Sequence, residues 1–230
     1  AKEAAPGVTV ATSIVDGDAA RVLLELGKDA AMIVVGTRRL GSVKGLFLGS
    51  VSTSVAAHAH GRVTVVAAEG NPDGPVVVGV DGSPVSDAAV AEAFRQASLR
   101  NVPLRAVHTW TPLDADALHG YGIGADEVAR MTQDAVEVLA ERLAGYAQDY
   151  PDVTIERSVL PEEPAKALLD EAGADASLLV VGSRGRGGFR EPGGDSLADH
   201  VALVLLEKVG GLGDRLRRCQ TESLGDRVAG

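Results

Sequence analysis

Two short stretches carry residue types that could do chemistry. The apolar run Val76–Val80 ends in a carboxylate at Gly79-Val80-Asp81, and a second run ends in Val181-Gly182-Ser183-Arg184-Gly185-Arg186-Gly187-Gly188. Glycines let a backbone come close to an anion and take positive φ, and exposed N–H groups at the start of a helix favour negative charge. Arg184 and Arg186 add local positive potential. The chemistry this pattern suits is the holding of phosphate. A solvated Gly/Arg turn is the plain alternative.

Other chemistries find less support. A Walker loop needs Gly-Lys-Ser/Thr, and neither glycine stretch supplies it. Among His58, His60, His108, His119 and His200, only His58 and His60 are close in sequence, and residues two apart on a helix face different sides. No metal site is expected. Ser83 and Ser196 have no evident base partner, and helix capping accounts for both, so no catalytic residue is assigned. Asp81 as a phosphoacceptor would require an acidic pair and a later lysine that the chain does not offer. Arg184–Arg190 also reads as a short Arg-Gly tract of the RNA-binding kind, but 32 acidic against 22 basic side chains leave a net charge of −10, which repels nucleic acid and anionic membranes.

The residues flanking these stretches alternate between strand and helix patterns. Val76–Val80 reads as a strand buried on both faces. Asp81-Gly82-Ser83-Pro84 ends it, with Ser83 as N-cap and Pro84 at the first helical position. Ala88, Ala89, Ala93, Phe94 and Ala97 give the next helix its apolar face. Leu104–Val107 is a strand, Asp114–Gly124 a loop, and Val128, Met131, Ala135, Val138, Leu139 and Leu143 are spaced for a helix. Val153–Val159, Pro164–Ala172 and Leu178–Val181 follow as strand, helix and strand. Such alternation predicts an α/β fold with a parallel sheet covered on both faces. The 230 residues are 45% hydrophobic and only 3% aromatic, so Val, Leu and Ala must fill the core. One cysteine, Cys219, gives no disulfide framework, and no apolar run nears the length of a membrane span, so a soluble protein in a reducing, cytoplasmic setting is expected.

The chain also matches itself. Ala31–Arg38 lies over Ser177–Arg184 at an offset of 146 residues, and Ala19, Leu23, Glu25 and Gly27 meet Ala165, Leu169, Glu171 and Gly173 in the same register. Because the second copy starts near Val76, the start of the first falls about 70 residues ahead of Ala1. The expected organisation is residues 1–69 as the back half of a first domain, 70–75 as linker, 76–210 as a second domain and 211–230 as a mobile tail.

The residues quoted above resemble the universal stress protein family, whose pattern is a glycine, two residues, a glycine, nine residues, then Gly-Ser or Gly-Thr. The first copy reads Gly36, Arg39, Gly49-Ser50, and the second Gly182, Gly185, Asp195-Ser196, so each departs at one position. Val78-Gly79-Val80-Asp81 is similar to the family's first strand and its nucleotide-facing acid. The resemblance implies a Rossmann-like doubly wound sheet of strand order 3-2-1-4-5 and binding of an adenine nucleotide, ATP, with or without Mg²⁺. It implies that Asp81 accepts from the ribose or adenine side, with Val80 and Thr109 lining the base. Gly182, Arg184, Gly185 and Ser196 would surround the phosphates, with Gly79, Val181 and Leu197 beside them. A regulatory stress-response role follows, with slow ATP hydrolysis at most. Asp195 would repel a polyphosphate unless a cation lay between, so weakened affinity is expected, and a nucleotide-independent interaction module is the alternative. At the carboxyl end the resemblance sets a helix over Ser196–Lys208, followed by Val209–Gly213, which is poor strand material. Loss of that last strand shifts pairing to Val63–Ala67, either in a homodimer or within the chain.

Overall fold

A computed structural model describes residues 5–36, 49–67, 71–83, 86–111, 113–173, 175–182 and 201–206. The described elements run in the order α1 (Ala19–Leu26), β1 (Met32–Gly36), α2 (Ser50–His58), β2 (Arg62–Ala67), β3 (Val76–Gly79), α3 (Asp87–Arg100), β4 (Leu104–Thr111), α4 (Ala115–Gly120), α5 (Ala125–Asp149), β5 (Ile155–Pro161), α6 (Pro164–Ala172), β6 (Leu178–Gly182) and β7 (Val201–Leu206). All seven strands join one sheet in the order β1-β2-β7-β6-β3-β4-β5. Every neighbouring pair is parallel except β6 and β7.

Around β3 the sheet is covered on both sides, and the period-two alternation of a strand explains how. Val76, Val78 and Val80 point to the face where Ala89, Ala93 and Phe94 of α3 meet Leu139 and Leu143 of α5. Val77, one residue out of phase, points to the opposite face with Val107, Leu179 and Ala167 of α6. A continuous apolar run is what such a doubly covered strand requires. Phe94 is fully buried and stacks on Tyr146 and Tyr150 at centroid distances of 5.6 and 5.8 Å. Burial and the charges of Asp87 and Asp149 raise the Tyr146 hydroxyl above its ordinary value.

Helix ends follow local chemistry. Asp18 caps α1 by accepting from the Arg21 amide at 2.9 Å. Glu163 caps α6 by accepting from the amides of Ala165 and Lys166, with Pro164 in the first turn. Those amides, Lys166 foremost, hold the Glu163 carboxyl below its ordinary range. Asn101 takes the left-handed conformation, φ +53°, that closes α3.

Several sequence expectations need correction. Helix α3 starts at Asp87 with Ser86 at its cap, not at Ser83 and Pro84, because Ser83 is taken up in a turn with Asp81. Residues 114–124 contain α4, capped by the Asp114 carboxylate on the Ala117 amide at 2.8 Å. The third strand of the second copy begins two residues later than predicted, at Ile155. The largest difference is at the carboxyl end, where Val201–Leu206 forms a strand inside the stretch expected as helix. A short run of six apolar residues carries no period that separates buried strand from buried helix. Strand β7 thus adds to the sheet beside β6, running in the opposite direction. Strand β2 pairs with it, Val63 opposite Ala202 through Ala67 opposite Leu206, so the Val63–Ala67 segment is used within the chain.

Residues 71–75 are stitched down rather than spanning freely. The Asn71 amide donates to the Ala176 carbonyl at 3.3 Å, and the Ser177 amide donates to Pro75 at 3.0 Å. The predicted tail 211–230 lies outside the described residues.

Candidate functional site

The candidate site is built at the carboxyl end of β3. Val80 carries the strand one residue past its last ladder pair: its amide donates to the Val107 carbonyl at 2.9 Å and the residue is buried. Its own carbonyl lies 2.6 Å from Nδ1 of the buried His108. A carbonyl can only accept, so in this contact Nδ1 is the donor. Asp81 then turns away from the sheet. Its Oδ1 accepts from both the amide (2.9 Å) and the hydroxyl (2.6 Å) of Ser83, and Gly82 between them sits at φ +76°, a region glycine enters without steric cost. The Ser83 carbonyl in turn accepts from the amide and hydroxyl of Ser86 at 3.1 and 2.8 Å. This chain of bonds fixes the carboxylate just beyond the sheet edge and postpones the start of α3. One residue earlier, a Cβ on Gly79 would lie 3.1 Å from the Leu168 side chain, so the glycine lets α6 seat closely on β3.

Sheet register brings the predicted residues to one edge. Strands β3 and β6 pair Val76 with Leu178 and Val78 with Val180, which sets Val80 level with Gly182 two residues on. Strands β3 and β4 pair Gly79 with Val107, which sets Asp81 level with Thr109. Gly79, Val80, Asp81, Thr109, Val181 and Gly182 therefore occupy the same rim of three adjacent strands spaced about 4.8 Å apart. Arg184, Gly185, Ser196 and Leu197 lie outside the described residues, as does Asp195.

The path of the chain adds meaning to that rim. From β3 it moves outward to β4 and β5, then crosses back to place β6 on the other side of β3. The crevice between β3 and β6 is thus where the winding direction reverses, the place at which open α/β sheets bind ligands. At the carboxyl end of β1 the carbonyl of Gly36 accepts from the Ser52 hydroxyl at 2.7 Å, and α2 follows with Gly49 at its cap. Arg39 lies outside the described residues.

Two features of this region are not announced by the sequence motifs. The place of His108 in the alternating buried series Leu104, Ala106, His108 marks it as an inward polar group that must find a partner, not as a metal ligand. Glu92 of α3 is a nearly buried carboxylate on the helix that follows the site. Burial pushes its pKa up, but hydrogen bonds from Arg95 and Gln96 and the charges of Arg95 and Arg62 outweigh this and hold it below the ordinary carboxylate range. The Arg62 guanidinium reaches it from β2 at 3.3 Å. Among the described residues no three His, Cys, Asp or Glu side chains gather as a metal site. Nor is any described helix long and apolar enough to cross a membrane.

Comparison with known proteins agrees with this architecture. A universal stress protein of Mycobacterium tuberculosis is 42% identical over 186 residues, covering 79% of this chain and 61% of its own length. One from Mycolicibacterium smegmatis is 42% identical over 187 residues, covering 80% and 62%. The chain thus spans about three fifths of the length of these relatives. Among solved structures, a universal stress protein from Archaeoglobus fulgidus superposes with a TM-score of 0.50 at 18% identity, over 81% of this chain and 64% of its own, a likeness of fold. The profile of the universal stress protein family matches residues 1–67 and 74–202. On that extent of match, the chain belongs to the universal stress protein family.

Proposed function

We propose that the rim between β3 and β6 binds an adenine nucleotide, ATP above all, and that the protein acts through this binding as a regulatory stress-response protein rather than as an enzyme. The observation that carries the reading is the coincidence of a fixed carboxylate with the reversal point of the sheet. Asp81 stands level with Thr109 on one neighbouring strand and one residue past Gly182 on the other. In this reading Asp81 accepts from the sugar hydroxyls, and Val80 and Thr109 border the base. Gly79, Val181 and Gly182 let the ligand approach the strand ends. Arg184, Gly185, Ser196 and Leu197 take the phosphate end. Mg²⁺ would arrive with the nucleotide and offset the charge of Asp195.

Residues 1–69 are, on the same reading, the back half of a first domain of the same kind, and the protein works in the cytoplasm. Calorimetric titration with ATP, with and without Mg²⁺, tests the proposal. A saturable heat is expected, with affinity lowered about tenfold or more in Asp81→Ala, since a hydrogen bond to a charged acceptor contributes about 1.5–3 kcal/mol. No heat and no thermal shift would instead favour a nucleotide-independent interaction module of the same fold.

A further inference from the structure

One buried polar side-chain atom near the site finds no hydrogen-bond partner among the described residues. The indole Nε1 of Trp110 is shut away from solvent and donates to nothing among the described residues, although the residue as a whole is only half-buried. Buried donors of this kind are rare in native proteins and ask for an explanation, of which an acceptor on a bound molecule is one. The backbone is unusual at the same residue. Thr109 pairs with Leu160 and Thr111 with Pro161, so Trp110 is an extra residue bulged out of the β4–β5 ladder. Bulges occur beside functional sites because they redirect a side chain that regular pleating would send elsewhere.

Position ties these two observations to the site. Continuing the β3–β4 register sets Trp110 level with Gly82, one residue beyond the level of Asp81 and one strand away. The strand end is held there by His108, two residues before Trp110, through its bond to the Val80 carbonyl.

We propose that Trp110 is a positioning residue for the nucleoside part of the ligand, its indole N–H donating to an acceptor atom on the base or the sugar while the bulge keeps the ring at the rim. The proposal rests on the nucleotide reading of the rim and adds to it a donor that complements the carboxylate of Asp81. A nucleoside carries both hydroxyl donors and ring-nitrogen acceptors, and Asp81 alone can meet only donors.

The protein supplies its own probe, because Trp110 is the single tryptophan of the chain. ATP should change the intrinsic tryptophan fluorescence saturably, with the midpoint that calorimetry gives. Trp110→Phe keeps an aromatic ring and removes the N–H. It should weaken ATP binding about five- to tenfold, while the melting temperature without nucleotide stays level or rises because an unsatisfied donor is gone. A purely structural tryptophan would do the reverse, lowering the melting temperature and leaving affinity alone. Asp81→Ala runs alongside as the control for the site. If ATP binds in an Asp81-dependent way but the fluorescence stays flat and Trp110→Phe binds as the wild type does, the role of Trp110 is overturned and the site stands. Absence of binding to the wild-type protein removes both. Should Trp110→Phe fail to fold, the wild-type fluorescence titration decides alone.

Discussion

Met32-Ile33-Val34-Val35-Gly36 and Leu178-Leu179-Val180-Val181-Gly182 match at an offset of 146 residues and are nearly the same text. Their burial is not the same. Along β6 the first three residues are buried without a break, whereas β1 alternates, with Val34 58% exposed where Val180 is 0%. The reason is position. Strand β6 lies inside the sheet between β7 and β3 and has α3 over one face and the α6 layer over the other. Strand β1 is an edge strand whose buried residues Ile33 and Val35 meet Val55 of α2, Ala59 just past its end and Ala20 of α1 on one face. An apolar run records that a strand can be buried twice, and the neighbours decide whether it is.

The comparison breaks most forcefully at the helix that makes the difference. Phe94 is the largest side chain sealing the α3 face, in one cluster with Val180 and Val78. Phe94→Ala should cost about 3–5 kcal/mol, read as a lowered denaturant midpoint, because the stacked tyrosines cannot fully close the cavity. It should also loosen β6 relative to β1, so that amide exchange rises at Leu178–Val181 more than at Met32–Val35. Equal acceleration in both strands would mean that α3 does not discriminate between them.

How much of this was legible beforehand follows from the same contrast. Strand β3, the helix face Ala89, Ala93, Phe94 and Ala97, and the carboxylate at the strand end could all be read, because period and apolar continuity are local properties. The position of the α3 cap could not, since Ser83 and Ser86 are equally good cap residues and only the three-dimensional turn shows that Ser83 is engaged by Asp81. Nor could β7. Val201–Leu206 is as apolar as a core helix turn, and what selects the strand is the pair of open sheet edges, β2 and β6, between which it fits. The candidate rim was half visible for the same reason: Asp81 and Gly182 announce themselves as strand-end residues, while His108 and Trp110 gain meaning only from the carbonyl one reaches and the acceptor the other lacks among the described residues.

A finer probe places the same hydroxyl on both strands. Val180→Thr conserves shape but sets an oxygen among Val78, Phe94 and Leu143, and should cost about 1–3 kcal/mol for a buried hydroxyl without a partner. A cost near zero there would show that the α3 face admits water.

Between the two strands stands an electrostatic link. Glu92 on α3 reaches Arg62 at the start of β2, so the helix that covers β6 also holds β2 by charge. Its carboxyl titrates below the ordinary value in the folded protein, net of the upward push of burial. The folded state therefore binds fewer protons than the unfolded one in that window, and this contribution is present above the ordinary carboxylate pKa and fades as pH falls through the lowered value. Glu92→Gln should cost about 1–2 kcal/mol at pH 7, where the charged hydrogen bonds from Arg95 and Gln96 and the ion pair with Arg62 are weakened or lost. The gap to wild type should shrink when the denaturation is repeated near pH 3. A gap that does not depend on pH would assign the effect to packing instead.

The smallest effect is expected where the twin of Val180 is changed. Val34→Thr adds the same hydroxyl to a side chain that water already reaches, so neither desolvation nor a missing partner applies, and the change should fall within about 0.5 kcal/mol. A β-branched residue replaces a β-branched residue, so strand propensity hardly moves either. The pair of threonine variants thus isolates the covering layer as the single variable between two strands of nearly equal sequence. If Val34→Thr proved as costly as Val180→Thr, the outer face of β1 would have to be covered in solution, and the difference in burial would belong to the isolated chain alone.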